Sequence, residues 1–109
     1  MKLLIAVINS QDARRLHDAL VENGFRFTEM ASTGGFLRQG NVTLLIGVTD
    51  HQLESALGLV REHCATREQA VDVTPPYTRV YSHPIGEALT VPVGGAQVFI
   101  LNVEQVVHV

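Results

Sequence analysis

Leu3 to Ile8 is a short, nearly unbroken apolar run closed by the polar residues Asn9, Ser10, Gln11 and Asp12. Continuous apolar character over so few residues predicts a strand buried on both faces. Asn9 or Ser10 then caps a helix whose positive first turn suits Asp12. Ala13, Leu16 and Leu20 recur on one side of that helix, Arg14, Arg15 and Asp18 turn to solvent, and Gly24 supplies a left-handed end. Phe25 to Ala31 alternates, with Phe25 and Phe27 pointing one way and Arg26 and Thr28 the other, because strand side chains have a period of two. Ser32 to Asn41 holds Gly34, Gly35 and Gly40 and reads as a loop, and Val42 to Val48 is a second apolar strand. Thr49 or Asp50 caps a second helix with Leu53, Ala56, Leu57, Val60 and Cys64 at helical spacing. Ala96 to Val103 forms the last strand.

The order strand, helix, strand, strand, helix, strand is the split βαβ pattern, which predicts an α+β, ferredoxin-like βαββαβ domain with an antiparallel sheet and both helices on one face. Residues 66 to 95 form a connection too long for a compact version of it. Within it, Tyr77 to Ser82 and Leu89 to Val93 can pair around His83-Pro84-Ile85-Gly86, although Pro75, Pro76 and Pro92 interrupt regular pairing. Leu3 to Ile8, Val42 to Val48 and Val98 to Leu101 are apolar on both faces, yet two helices on one side cover only one of them. An uncovered face of that kind exceeds what a soluble monomer usually exposes, so a neighbouring subunit is expected on it. With Phe25 and Phe27 under the helices, Arg26 and Thr28 then lie at that subunit boundary.

Composition narrows the function classes. A chain of 109 residues, 46% hydrophobic and without Trp, is one globular domain rather than a disordered segment. A net charge of −3 and a pI near 5.9 argue against a broad basic face for nucleic acid or anionic membrane, but leave room for a local cationic site. The single Cys64 excludes an intrachain disulfide and fits a reducing cytoplasm. The apolar N-terminal run is too short for a signal peptide or for membrane insertion.

Thr33-Gly34-Gly35-Phe36-Leu37-Arg38-Gln39-Gly40-Asn41 carries the candidate chemistry. Adjacent glycines allow close backbone approach, and successive N–H groups in such turns form anion-binding nests. Phe36 offers a planar face for a base, Arg26 a fixed positive charge for phosphate, and Thr28 and Asn41 short polar groups for base edges or ribose. The plainer reading is a turn between two strands with a core-packing Phe. No Gly-Lys-Ser/Thr follows, so it is no Walker loop, and it lacks the third glycine and helix of a dinucleotide fingerprint. His17, His51, His63, His83 and His108 show no metal-ligand spacing, and His17 and His63 are read as solvated. Cys64 lies on an apolar stripe and is read as packed, no Ser sits in a nucleophile elbow, and the acidic residues read as solvated helix faces, so no catalytic residue is expected. Gly94-Gly95 reads as a bulge before the last strand, with a ligand contact as the alternative.

The run Thr33 to Arg38 followed by Gly40-Asn41 resembles the signature of the PII-like cyclic-di-AMP receptor family. The similarity extends over essentially the whole chain, as a single domain of residues 1–109. It takes in Lys2 to Val7 with Gln11-Asp12, Phe25-Arg26, Gly47-Val48, Arg67-Glu68-Gln69, and Val93 to Ala96 with Val98-Phe99. The resemblance implies a homotrimer with a ligand cleft between each pair of subunits. It places Arg26 and Thr28 on the ligand, Phe36 and Leu37 on an adenine, Asn41 on a base, and the backbone of Gly35 and Gly47 around the pocket. It further implies mobile loops at 33–41 and about 66–94, a downstream protein partner, cyclic-di-AMP as ligand rather than any cofactor, and no catalysis. ATP or ADP is the alternative ligand. Gly24 stands where the family commonly has Asn, Phe27 replaces a small residue, and His108 stands where an amide is expected.

Overall fold

The computed structural model describes residues 1–30, 40–72 and 88–109. Along them run β1 (Lys2–Asn9), α1 (Ser10–Glu22), β2 (Arg26–Met30), β3 (Asn41–Val48), α2 (Leu53–Cys64), β4 (Arg67–Asp72), β5 (Ala88–Val93) and β6 (Ala96–Asn102). The main sheet has the order β2-β3-β1-β6, all antiparallel, while β4 and β5 pair with each other as a separate ribbon. Leu16, Leu20, Ala56, Val60 and Cys64 from the two helices join Leu4, Ala6, Ile8, Leu44, Ile46 and Val48 in a single buried cluster. Both helices therefore cover the same face, and the expected α+β, ferredoxin-like fold is the observed one.

Local signals act where periodicity places them. The Asn9 side chain caps α1 by accepting from the Gln11 N–H at 2.9 Å. Gly24 takes φ +75°, the left-handed conformation that lets the chain leave α1 directly into β2. The start of α2 differs from expectation: its N-cap is Gln52, which makes no side-chain cap bond. Instead the Gln52 side chain accepts from the Thr49 N–H, and the Gln52 N–H donates to the Thr49 carbonyl, closing a turn ahead of the helix.

The long connection differs more. Leu89 to Val93 lies in β5, whose partner is Arg67–Asp72, with Arg67 opposite Val93 and Asp72 opposite Ala88. Tyr77 to Ser82, the expected partner of that strand, and the His83-Pro84-Ile85-Gly86 turn lie outside the described residues. Pro92 sits within β5 opposite Glu68, because half the N–H groups of a two-stranded ribbon face outward and none need be donated there. Gly94 and Gly95, at φ +79° and +90°, form no bulge within one sheet: they are the joint between the ribbon and β6.

The face away from the helices is laid out by register. Its first row reads Arg26, Gly47, Leu3, Leu101; its second reads Thr28, Leu45, Ile5, Phe99; its third reads Met30, Thr43, Val7, Gln97. No helix of the described residues covers these rows. Met30, Phe99 and Leu101 remain 43%, 44% and 43% exposed, against 0% for Leu4 and Ala6 on the helix side.

Candidate functional site

β2 is an edge strand, and its alternation sorts Arg26 and Thr28 from Phe27 as the sequence predicts. Phe27 packs against the helix-side core, while Arg26 and Thr28 stand exposed on the open face. The Arg26 guanidinium forms no ion pair with any described residue. Directly across from it is Gly47. No described residue requires this glycine: its φ is not positive, and among the described residues a Cβ there would meet only the Met1 Cε, at an ordinary 3.6 Å. Its lack of a side chain leaves the backbone bare between Arg26 and Leu3 in register, one row from Thr28.

Asn41 shares this face but sits at the other end of β3. Six residues at roughly 3.3 Å each separate it from Gly47 by about 20 Å. One chain therefore brings Arg26, Thr28 and Gly47 together and holds Asn41 apart. Asn41, opposite Asn9 in register, instead lines a depression of about 260 Å³ with Asn9, Gly94, Gly95 and Gln97. Gly94-Gly95 and Gln97 thus join the candidate residues; the glycine pair was visible in the sequence, whereas Gln97 gave no local signal. Gly35, Phe36 and Leu37 lie outside the described residues.

Next to that depression is a charge cluster the sequence reading missed. Asp12 was expected to be a solvated first-turn acid, yet it is 0% exposed. Arg67 reaches it as a fork, Nη2 to Oδ1 at 2.8 Å and Nη1 to Oδ2 at 3.2 Å. Arg15 was expected in solvent but folds back, donating from Nη2 to Asp12 Oδ1 at 2.7 Å and to the His63 carbonyl at 3.3 Å. Burial pushes the Asp12 carboxyl up, but the hydrogen bonds from Arg67 and Arg15 and their charges outweigh it and hold the pKa below the usual 3.8. The folded value is thus the lower one, so the stability it confers is complete above the unfolded pKa and is lost as pH falls through the folded pKa. Asp12→Asn is expected to lower stability at pH 7 by on the order of 1–3 kcal/mol. In urea melts, the gap to wild type should close progressively below pH 3.8. A gap independent of pH would mean that the carboxylate charge is not what stabilises this corner.

The whole sequence, residues 1–109, matches the family described as cyclic-di-AMP receptor. The chain belongs to the cyclic-di-AMP receptor family. A solved structure, the crystal structure of a functionally unknown protein from Pediococcus pentosaceus ATCC 25745, is similar to it at 32% identity and a TM-score of 0.75. The match covers 99% of this chain and 96% of that one.

Within this cyclic-di-AMP receptor family member, the departures in sequence have local accounts. Gly24 is the left-handed link after α1, and beyond its chain neighbours no described residue comes within 4 Å of a Cβ placed there. Phe27 meets the His17 ring edge-on, with centroids 5.0 Å apart and planes at 87°, so its bulk lies on the side away from Arg26. His17 is therefore half-buried rather than solvated, and so is His63. His108 is exposed beyond β6. Cys64 is packed as expected, its thiol pushed up to about 11 by burial and then by the nearby Asp12 charge. Among the described residues no three His, Cys, Asp or Glu side chains gather as a metal site, and no helix is long and apolar enough to cross a membrane.

Proposed function

We propose that this chain is a cytoplasmic signal-transduction protein that binds cyclic-di-AMP in clefts between the subunits of a homotrimer. The observation that carries the reading is Gly47 opposite Arg26 on an uncovered apolar face. A glycine that no described residue requires, beside a guanidinium without an ion pair among the described residues, fits a group arriving from outside. The membership of the family supplies the messenger.

In this reading Arg26 makes charge-assisted bonds to a phosphate and Thr28 a hydrogen bond beside it. Phe36 and Leu37 pack on an adenine, Asn41 reads a base edge, and the Gly35 and Gly47 backbones complete the wall. The roughly 20 Å between Asn41 and Gly47 along β3 supports a cleft built from two chains, with the Arg26 end of one meeting the Asn41 end of the next. Ligand binding is relayed by ordering of the loops within 33–41 and about 66–94, the latter rooted on the already paired strands β4 and β5, into a surface read by a downstream protein. Such a relay works by differential affinity between states and needs no turnover.

Parallel calorimetric titrations with cyclic-di-AMP, ATP, ADP and cyclic-di-GMP test the ligand assignment. Saturable binding of cyclic-di-AMP at one molecule per chain, tighter than the others, is the expected result. Preferential binding of ATP or ADP would keep the cleft and replace the messenger.

A further inference from the structure

The first turn of α1 holds two distant parts of the chain at once. From its backbone, the Ser10 N–H donates to the Gly40 carbonyl at 2.7 Å, directly before Asn41 begins β3. From its side chain, the buried Asp12 carboxylate receives the Arg67 fork at the root of the ribbon. The returning end of the ribbon is packed onto the same pair. A Cβ on Gly94 would stand 2.7 Å from Arg67 Nη1, 3.1 Å from Asp12 Oδ2 and 3.1 Å from the Ala65 carbonyl. Gly95 then donates its N–H to the Cys64 carbonyl at 2.7 Å. Gly94, Gly95 and Asn41 all border one depression.

We propose that Asp12 and Arg67 are positioning residues for the ligand cleft: their ion pair fixes the ribbon root and the Gly94–Gly95 joint against the turn that carries Asn41. This rests on the cyclic-di-AMP reading above. A carboxylate in full burial is costly to keep unless its partners fix it, and a guanidinium fork fixes direction as well as charge. Arg15 shares the carboxylate but ties it to the end of α2, not to the ribbon. The two arginines therefore separate positioning from plain stabilisation.

Arg67→Gln, Arg67→Lys and Arg15→Gln are to be compared by calorimetry with cyclic-di-AMP and by amide hydrogen exchange. Both arginines are partly exposed, so each variant keeps a folded core with Asp12 still paired to the other. Arg67→Gln is expected to weaken cyclic-di-AMP binding about tenfold, near the lower end of the cost of losing one charge-assisted bond because Arg67 acts through the joint rather than on the ligand. It should also speed exchange at 67–72 and 88–93 while leaving β1 and β3 unchanged. Arg67→Lys, with its charge but not its fork, should recover part of both effects, and Arg15→Gln should show neither. Equal losses for the two arginines, or unchanged ribbon exchange in Arg67→Gln, would overturn the proposal. If the wild-type protein gives no heat with cyclic-di-AMP, the binding reading fails, and the ribbon exchange still decides whether this pair holds the ribbon.

Discussion

Ile5→Glu is expected to convert the proposed trimer into a monomer that remains folded. Ile5 occupies the middle of the open face, between Leu45 and Phe99 in register, where no helix of the described residues reaches it. In an isolated chain its side chain is half-buried and points away from the helices, so a flexible carboxylate there can reach water and the helix-side core is untouched. In an assembly that buries the face, the same carboxylate loses its water without a partner, which costs several kcal/mol for each subunit. Sedimentation velocity at micromolar concentration reads the result. Wild type should run as a trimer and Ile5→Glu as a monomer with an unchanged circular dichroism spectrum, while Ile5→Val stays trimeric. A wild-type monomer would refute the assignment of this face to a subunit contact.

The second large effect is expected at Arg26. Removing a guanidinium that bonds a phosphate costs on the order of 1.5–3 kcal/mol, or about 13- to 160-fold in affinity. Because Arg26 is exposed and forms no ion pair with described residues, Arg26→Ala leaves no orphaned partner among them. The loss is therefore read in binding and not in stability. Arg26→Lys retains the charge but not the planar fork, and should fall between the two. Unchanged affinity in Arg26→Ala would remove this residue from the site.

The features legible in the sequence are those set by local pattern. β1 and β3 announce themselves as apolar runs, α1 and α2 by helical spacing, and Arg26 and Thr28 by the alternation of β2, which fixes their face before any contact is known. The hidden features depend on pairings far apart in sequence. Arg67-Glu68-Gln69-Ala70-Val71-Asp72 has no apolar face, because the ribbon it forms does not build the core, so no periodicity marks it as a strand. Asp12 carries an ordinary first-turn signal in its own helix; only Arg67, 55 residues away, makes it the buried centre of a junction. Gly94-Gly95 reads as a bulge until β5 and β6 prove to belong to different sheets. The candidate site divides the same way. The sequence groups Arg26, Thr28 and Asn41 by chemistry, but the register puts the first two at one end of β3 and the last at the other.

That separation makes the most direct test one of shared sites. Arg26→Ala and Asn41→Ala chains, each too weak to bind cyclic-di-AMP alone, are to be unfolded together, refolded as mixed trimers and titrated with the messenger. If each cleft takes Arg26 from one chain and Asn41 from its neighbour, some clefts in the mixture contain both intact residues, and a fraction of sites regains wild-type affinity. If every site in the mixture stays as weak as in the separate variants, the ligand is not held between subunits in the way proposed.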